Sequence, residues 1–467
     1  MKQKTMASLG VGIREVISEG FCIGCGACTV KSEAAKVVFN QYGELTADIK
    51  ACEEQEVDSM EPVCPFSTSA PNETDLARLA FKNEASAKYG DEVGVFTGLY
   101  AGYSNTFRKR GSSGGIISWL LSELLITGKV DKVIVVGKSN EDERFFDFKV
   151  LDNPEDLKSA GTSFYYPVSY EKVLKYIIET PGRYAITGVP CFHKALRQLK
   201  AVSPTIAERI VYQVGLVCGQ MKSAFYLDYL ARKTGNDTPP VNACFRRKDE
   251  LARADDYLFE GSFKTATGEI ETRTVRNREI GANWAMGLFK PRACDFCDDV
   301  FAETADIAVM DAWLDRYVGD GKGTSLVITR SGVLQSMLEH GQVSGELQLE
   351  SASEADVVES QRGGLNHRRV GLRYRLLLDG VRGPVPNKRL RPDGNIDIWF
   401  KIEQRMRSAI RKKSRYAMRK QLDSDKKGLG IYESEMSGVL SLYKWFSRVR
   451  HRIAGTKNYK TLFKIDC

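Results

Sequence analysis

Arg183-Tyr184-Ala185-Ile186-Thr187-Gly188-Val189-Pro190-Cys191 is the stretch on which the reading of the fold turns. Arg183 to Thr187 reads as a buried strand, the Gly-Val-Pro-Cys run ends it, and a helix from Phe192 to Lys200 follows. A cysteine where a strand ends and a helix begins occupies the edge at which open α/β sheets bind ligands. The next strand, Ile210 to Val217, ends in Cys218-Gly219, so successive strands bring two thiols to one edge. Far downstream, Cys294-Asp295-Phe296-Cys297 adds a C-x-x-C pair, and together these make four, the ligand count of an iron–sulfur cluster. The residues alone leave a second reading open, with Cys191 and Cys218 as buried structural thiols and the pair on zinc.

A separate cysteine loop lies near the N-terminus. Phe21-Cys22-Ile23-Gly24-Cys25-Gly26-Ala27-Cys28 carries three cysteines at C-x-x-C-x-x-C spacing, the bacterial-ferredoxin pattern of 4Fe-4S ligation. Gly24 and Gly26 allow the tight turns that aim backbone amides at sulfur. The fourth ligand in that pattern precedes proline, which favours Cys64-Pro65 over Cys52. A zinc loop is the alternative, although zinc sites favour two separated pairs. Between loop and Cys64 the chain reads as a hairpin, with a strand at Lys36 to Phe39, a turn at Tyr42-Gly43 and a second strand ending near Ile49. From Asn72 to Lys88 a polar, helical stretch leads into the next region.

That region holds Arg108-Lys109-Arg110-Gly111-Ser112-Ser113-Gly114-Gly115, then an apolar helix from Ile116 to Ile126, Gly128, and a strand at Lys132 to Val136. Ser112 or Ser113 suits the helix cap, and Gly128 its C-terminal stop. Small residues at a helix start backed by basic side chains suit a nucleotide or flavin phosphate, the plainer alternative being a cap alone. A further Gly161-Thr162-Ser163 run follows a helical stretch near Glu155 to Ser159.

Composition bounds the rest. The 467 residues include 11 cysteines, too few for a disulfide scaffold and too clustered to be incidental. No secretory signal pattern opens the chain, and the most apolar segment is too short to span a bilayer, so a cytoplasmic protein with reduced thiols is expected. The net charge of +8 belongs to the tail: residues 401–467 carry 18 Lys and Arg against 6 Asp and Glu, whereas the first 400 carry 50 against 54. The tail reads as two helices, from Ile396 to about Leu422 and from about Ser434 to Ile453, with an apolar stripe that includes Trp445-Phe446. A basic amphipathic pair suits peripheral contact with an anionic surface at the inner face of the membrane, or an acidic partner. The alternative is a helical extension docked on the core. No nucleic-acid reading motif accompanies the charge, so nucleic acid is not an expected partner.

Five motifs occur in an order that resembles one family: Ser113-Gly114-Gly115, Thr187-Gly188-Val189-Pro190-Cys191, Gly215-Leu216-Val217-Cys218, Cys294-Asp295-Phe296-Cys297 and Ala305-Asp306-Ile307-Ala308-Val309-Met310-Asp311-Ala312-Trp313. Over residues 15–395 the chain resembles the beta subunit family of coenzyme F420 hydrogenases and dehydrogenases, which includes 7-hydroxymethyl chlorophyll a reductase and proteins found with bacterial polysaccharide genes. The resemblance implies a flavin, usually FAD, beside a 4Fe-4S cluster, often with an added ferredoxin-like segment. It makes Cys191, Cys218, Cys294 and Cys297 cluster ligands, and Ser112, Ser113, Gly114, Gly115, Thr162, Ser163 and Thr187 flavin contacts. The chain departs from the family at Met310, where a small residue is usual, and in the tail beyond Lys401, which shorter members lack.

The expected architecture is α/β: a flavin and iron–sulfur core, a small N-terminal ferredoxin-like segment and a C-terminal basic helical tail. Its parts are residues 1–80, 90–180 for the flavin-binding half of the core, 181–395 for the half with the second cluster, and 396–467. Two 4Fe-4S clusters, one on Cys22, Cys25, Cys28 and Cys64, would carry electrons from a redox partner such as ferredoxin to the flavin. There an unidentified small molecule, in polysaccharide metabolism by the family's associations, would react. The alternatives are an electron-transfer subunit serving a partner enzyme and a structural or regulatory cluster protein without flavin. No catalytic residue stands out. His193, beside Cys191, and Lys222, after Cys218, are the candidates, each with a plain reading as a packed or solvated side chain. Arg246-Arg247-Lys248 and His367-Arg368-Arg369, the latter in a mobile-looking loop, are basic clusters suited to an anionic substrate or to a solvated face.

Overall fold

The computed structural model describes residues 10–140, 143–280 and 283–454; Cys467 and the side chain of His451 lie outside the described part. Eight strands form the central sheet: β1 Gly98–Ser104, β2 Lys132–Lys138, β3 Phe146–Leu151, β4 Tyr184–Gly188, β5 Ile210–Leu216, β6 Ile307–Asp311, β7 Ser325–Thr329 and β8 Leu347–Ser351. Across the sheet they run β8-β1-β7-β6-β5-β4-β2-β3. The inner strands β2, β4, β5 and β6 are parallel, and β3 on one flank and β7, β1 and β8 on the other are antiparallel. Burial follows this plan. Every residue of β4 is buried, as a strand covered on both faces requires, whereas edge strand β8 alternates buried and exposed positions at its start.

Helices cover both faces, and the strand period of two distributes side chains between them. Val133 and Val135 of β2 face α1 (Ile116–Ile126), packing with Leu120, Leu121 and Leu124. Ile134 between them faces α2 (Pro190–Val202), packing with Ala195, Leu196 and Leu199. Pro190 fits the first turn of α2, where its missing N–H costs no hydrogen bond. Gly128 stops α1 with φ of 61°, as expected. The cap is different from the one expected. Gly115, at φ 78°, is the N-cap of α1 with no side-chain hydrogen bond, so neither Ser112 nor Ser113 caps the helix.

The N-terminal segment packs on the α2 face, where Phe21, Cys25, Cys28 and Cys64 share one core with Phe192 and Leu196. Its hairpin pairs Lys36–Phe39 with Leu45–Asp48 in antiparallel register. Helix Glu73–Ala80 follows, with Asn72 accepting from the amide of Asp75. A separate three-stranded antiparallel sheet, Asn242–Arg247, Leu258–Lys264 and Ile270–Arg276, has no counterpart in the expectations above.

The tail forms α3 (Ile398–Leu422) and α4 (Gly430–Ala454). Phe400, Ile410, Ala417 and Met418 of α3 are buried, and Met418 shares a core with Phe289, Tyr432 and Met436. Several basic residues also turn inward: Arg411 pairs with Asp295 at 2.6 Å and Arg415 with Glu44 at 2.7 Å. The apolar stripe therefore docks the tail on the core, and only part of it, such as Trp445 at 59% exposure, stays at the surface. No helix among the described residues is long and apolar enough to cross a membrane.

Docking sets the energetic expectation. Ile410→Ala should destabilise the whole protein by about 2–5 kcal/mol, read as a lowered denaturation midpoint. Trp445→Ala should change stability by about 0.5 kcal/mol or less.

Candidate functional site

Two sets of thiols are assembled from distant parts of the chain. In the first, Gly24 and Gly26 turn the loop with φ of 64° and 81°. A Cβ at Gly24 would lie 2.5 Å from Cβ of Leu45, so glycine is what lets the loop close against the hairpin. The amides of Gly24 and Ala47 donate to Cys22 Sγ at 3.5 and 3.3 Å. Cys64 follows the short turn Glu61–Val63, and Cys22, Cys25, Cys28 and Cys64 line one apolar cavity with Ile13 and Phe21. Cys64, not Cys52, completes that lining. Burial pushes the Cys25 thiol up to about 12, with the Cys22 sulfur adding to the shift. Burial followed by the neighbouring sulfurs raises Cys28 and Cys64 as well.

The second set forms at the C-terminal edge of the parallel strands. β4 and β5 are parallel neighbours with Gly188 beside Gly215, so Cys191, in the first turn of α2, and Cys218, just after β5, emerge side by side. Cys294 and Cys297 come from the turn Arg292–Phe296 and the residue after it. Burial, then the charges of Cys297, Cys218 and Cys294, raises the Cys191 thiol well above its ordinary value. Cys294 and Cys297 are pushed up to about 11, again chiefly by burial. Arg368 is sealed in beside them: Nη1 lies 3.1 Å from Cys297 Sγ and Nη2 3.8 Å from Cys218 Sγ, while both donate to carbonyls, of Asp299 at 2.7 Å and Gly219 at 2.8 Å.

The two sets adjoin. The Cys25 sulfur contributes to the field at Cys191, Tyr170 N donates to the Cys25 carbonyl at 3.0 Å, and the Phe21 and Phe296 rings of the two loops meet edge-on at 4.9 Å. Among the described residues, no three His, Cys, Asp or Glu side chains close on one point as ligands of a single metal ion do. A cubane cluster spreads its thiolates wider than a zinc ion does. Clustered thiols that raise one another, as Cys25, Cys28 and Cys64 do in one set and Cys191, Cys218 and Cys294 in the other, are a donor set relieved by a multivalent centre that deprotonates them on binding. The residues fit such a group.

The loop before α1 lies elsewhere, at a pocket lined in part by Ser112, Arg246, Lys248, Tyr257, Asp311 and Trp313. Ser112 Oγ accepts from the amide of Ser163 at 2.7 Å, which brings the Gly-Thr-Ser turn with Thr162 onto the same loop. Ser113 Oγ donates to the Thr324 carbonyl, and Gly114 N donates to Ser325 Oγ at 3.0 Å. Lys248 Nζ donates to the carbonyls of Arg108, Ser113 and Lys322 and so ties loop to pocket wall. Arg246 forms a two-pronged pair with Asp311, at 2.7 and 3.0 Å, over the rings of Tyr257 and Trp313. The basic triplet divides at a strand end: Arg246 and Lys248 line the pocket, and Arg247, the last residue of its strand, points out. Thr187 is apart from this loop. Its hydroxyl donates to the Ile134 carbonyl at 2.9 Å inside the sheet.

Both catalytic candidates prove to be interior side chains. His193 has Nε2 3.1 Å from the Val214 carbonyl and Nδ1 3.1 Å from Gln213 Nε2, and burial lowers it to about 4. Lys222 is 2% exposed, donates to the Leu288 carbonyl at 2.7 Å and lies over the rings of Trp284 and Tyr226, so the solvated reading is overturned. The His367 stretch is likewise no mobile loop. It is helical, with His367 stacked on Phe400 and Arg369 paired to Glu92 and Glu303.

A mixed sheet with parallel inner strands, half-buried cysteines at their C-terminal ends and a pocket beyond defines an α/β protein. Residues 99–175 and 182–355 match the N-terminal and C-terminal domains of the coenzyme F420 hydrogenase/dehydrogenase beta subunit, and the chain belongs to that family. It is 24% identical over 334 residues to the coenzyme F420-dependent sulfite reductase of Methanocaldococcus jannaschii, covering 68% of this chain and 46% of the reductase. The chain thus spans less than half the length of that relative. A chain in the structure of the F420-reducing [NiFe] hydrogenase complex from Methanosarcina barkeri is 16% identical, covering 64% of this chain and 99% of that chain at a TM-score of 0.48.

The paired glycines are tested by packing. A Cβ on Gly114 would lie 2.5 Å from the Gly102 carbonyl and 2.9 Å from Ser325 N, both backbone. Gly114→Val should therefore cost about 1–3 kcal/mol of stability in its own right, seen as a lowered melting midpoint in cofactor-free protein.

Proposed function

We propose that this chain is an iron–sulfur flavoprotein oxidoreductase with two 4Fe-4S clusters and an FAD. The observation that carries the reading is the assembly of Cys191, Cys218, Cys294 and Cys297 from three distant segments at one sheet edge, next to Cys22, Cys25, Cys28 and Cys64. When bound, the clusters supply one-electron carriage and the flavin couples it to two-electron chemistry. The chain's part is to hold and shield them. Its eight thiols are the ligands, the amides of Gly24 and Ala47 and the Arg368 guanidinium bond to sulfur, and apolar walls such as Ile13 and Phe21 exclude water.

The flavin is assigned to the pocket lined by Ser112, whose loop continues through Ser113, Gly114 and Gly115 and is bonded to Ser163, with Thr162 in the same turn. What supports this is the basic lining from Arg246 and Lys248, the aromatic Tyr257 and Trp313, and the family. Electrons come from a redox partner such as ferredoxin, and the substrate is a small molecule. Because the similarity covers only 46% of the sulfite reductase, a second reading has an observation in its favour: an electron-transfer subunit whose flavin serves a partner enzyme. Turnover of a small molecule by the isolated chain separates the two.

Iron analysis of anaerobically prepared chain should give about eight irons, by the ligand count of two cubanes. Cys64→Ser should bring this to about four and Cys52→Ser should leave it unchanged. Zinc in place of iron would overturn the reading.

The flavin assignment has its own measurement. Lys248→Met removes three bonds that hold the loop at the pocket wall. Flavin per chain should fall while iron stays at the wild-type value, because no thiol is touched. Undiminished flavin would place it elsewhere.

A further inference from the structure

The two thiol sets differ in what faces their sulfurs. Around the first, the polar groups pointing at sulfur are backbone amides, those of Gly24 and Ala47 at Cys22, Ala27 at Cys25, and Phe66 and Ser67 at Cys64. The charges acting most on Cys25, Cys28 and Cys64 are those of their sister thiols. Around the second set a full positive charge is built in. Arg368, 4% exposed, touches Cys297 and Cys218 and acts on Cys294 and Cys191 too.

Its position is fixed by carbonyls rather than by a carboxylate. Asp299 and Gly219 accept from its two terminal nitrogens through their backbone oxygens. Among the acidic neighbours, Asp298 and Asp295 are paired with other cations, whereas Asp299 acts on Cys218 and Cys297 against Arg368. Asp298 is held by Lys388 at 3.5 Å and Arg389 at 3.2 Å, and Asp295 by Lys290 and Arg411. Asp299 and Glu303 face the same region, where Arg389 pairs with Glu303 at 2.7 Å. Lys388 and Lys290 add their own positive fields at Cys297 and Cys294.

A cluster becomes more negative by one charge when it takes an electron. A fixed cation in a dry interior favours that state more than an amide dipole does, so it raises the reduction potential. We infer that Arg368 is a tuning residue that sets the centre on Cys191, Cys218, Cys294 and Cys297 at a higher potential than the centre on Cys22, Cys25, Cys28 and Cys64, and so fixes inward electron flow. The inference rests on the two-cluster reading above. In each transfer a one-electron donor protein is oxidised at the N-terminal loop, and one electron passes to the inner centre on the side where Cys25 lies in the field of Cys191. No bond forms or breaks, and the N-terminal centre returns to its oxidised state.

The test is a redox titration of the anaerobically prepared full chain, followed by electron paramagnetic resonance, with iron counted on the same sample. Wild-type protein should show two midpoints, and Cys64→Ser should remove the lower one. Arg368→Gln should move the upper midpoint down and leave the lower one in place, and Arg368→Lys, which keeps the charge, should restore most of the shift. If Arg368→Gln loses the inner centre's iron, Lys388→Gln takes its place and should also lower the upper midpoint. Eight irons with an upper midpoint that neither substitution moves, or loss of the upper midpoint in Cys64→Ser, would overturn the inference. Wild-type iron near four would instead overturn the two-cluster reading.

Discussion

Four thiols brought together in a dry interior repel one another as soon as they ionise, so the backbone that holds them must be fixed by other means. In this chain the fixing element is the parallel pairing of β4 and β5. Gly188 lies beside Gly215, and the two strand ends deliver Cys191 and Cys218 from the same edge. Gly215 also lets the segment after Cys297 close in. A Cβ there would meet those of Ala302 and Ala305 at 2.8 Å. Phe289 and Ala302, with φ of 56° and 49°, bracket the C-x-x-C turn in a backbone conformation that costs a non-glycine residue on the order of 1–3 kcal/mol. The surrounding core, in which both are fully buried, holds that strain in place.

The same constraint governs the charges. Asp295 sits between two cysteines of the inner set, and its carboxyl is held well below the usual range despite burial, because Lys290, Arg411 and Arg375 surround it. Breaking such a pair leaves an uncompensated ion, at roughly 3–5 kcal/mol. Arg411 comes from the tail, and so does Gln404, which accepts from Arg375 at 2.5 Å. The basic character of the last residues is therefore in part an internal property, used to neutralise carboxylates beside the thiols.

Part of this was legible in the sequence. Cysteine spacing picked out Cys22, Cys25 and Cys28, with the proline after Cys64 pointing to a fourth, whereas Cys191, Cys218 and the Cys294–Cys297 pair were joined into one set by the family resemblance. The strand–proline–helix order around Cys191 placed that cysteine at the sheet edge where the structure has it. The Arg246-Arg247-Lys248 triplet supplied two pocket residues, but a basic run reads equally well as solvated surface. The strands β1, β3, β6, β7 and β8 were not read from the sequence, because short apolar runs do not reveal their partners and tertiary pairing decides them. Arg368 was hidden for a related reason. A side chain's approach to sulfurs 71 and 150 residues away leaves no periodic trace. Ser112 and Ser113 suggested a cap, whereas the loop's hydroxyls are engaged with Ser163 and Thr324 and a left-handed glycine opens the helix.

The inner thiols and the pocket, though separate, are joined through the interior. Lys222 lies in the field of Cys294 and places its ammonium 4.6 Å from the centre of the Trp284 ring. Trp284 meets Tyr165 edge-on at 4.6 Å, and Tyr257 hydrogen-bonds to both. Tyr257 lines the pocket beneath Arg246, whose partner Asp311 ends β6. Burial shifts Lys222 below an ordinary lysine and Tyr165 above an ordinary tyrosine. Between the two places the rings of Trp284, Tyr165 and Tyr257 pack against and bond to one another.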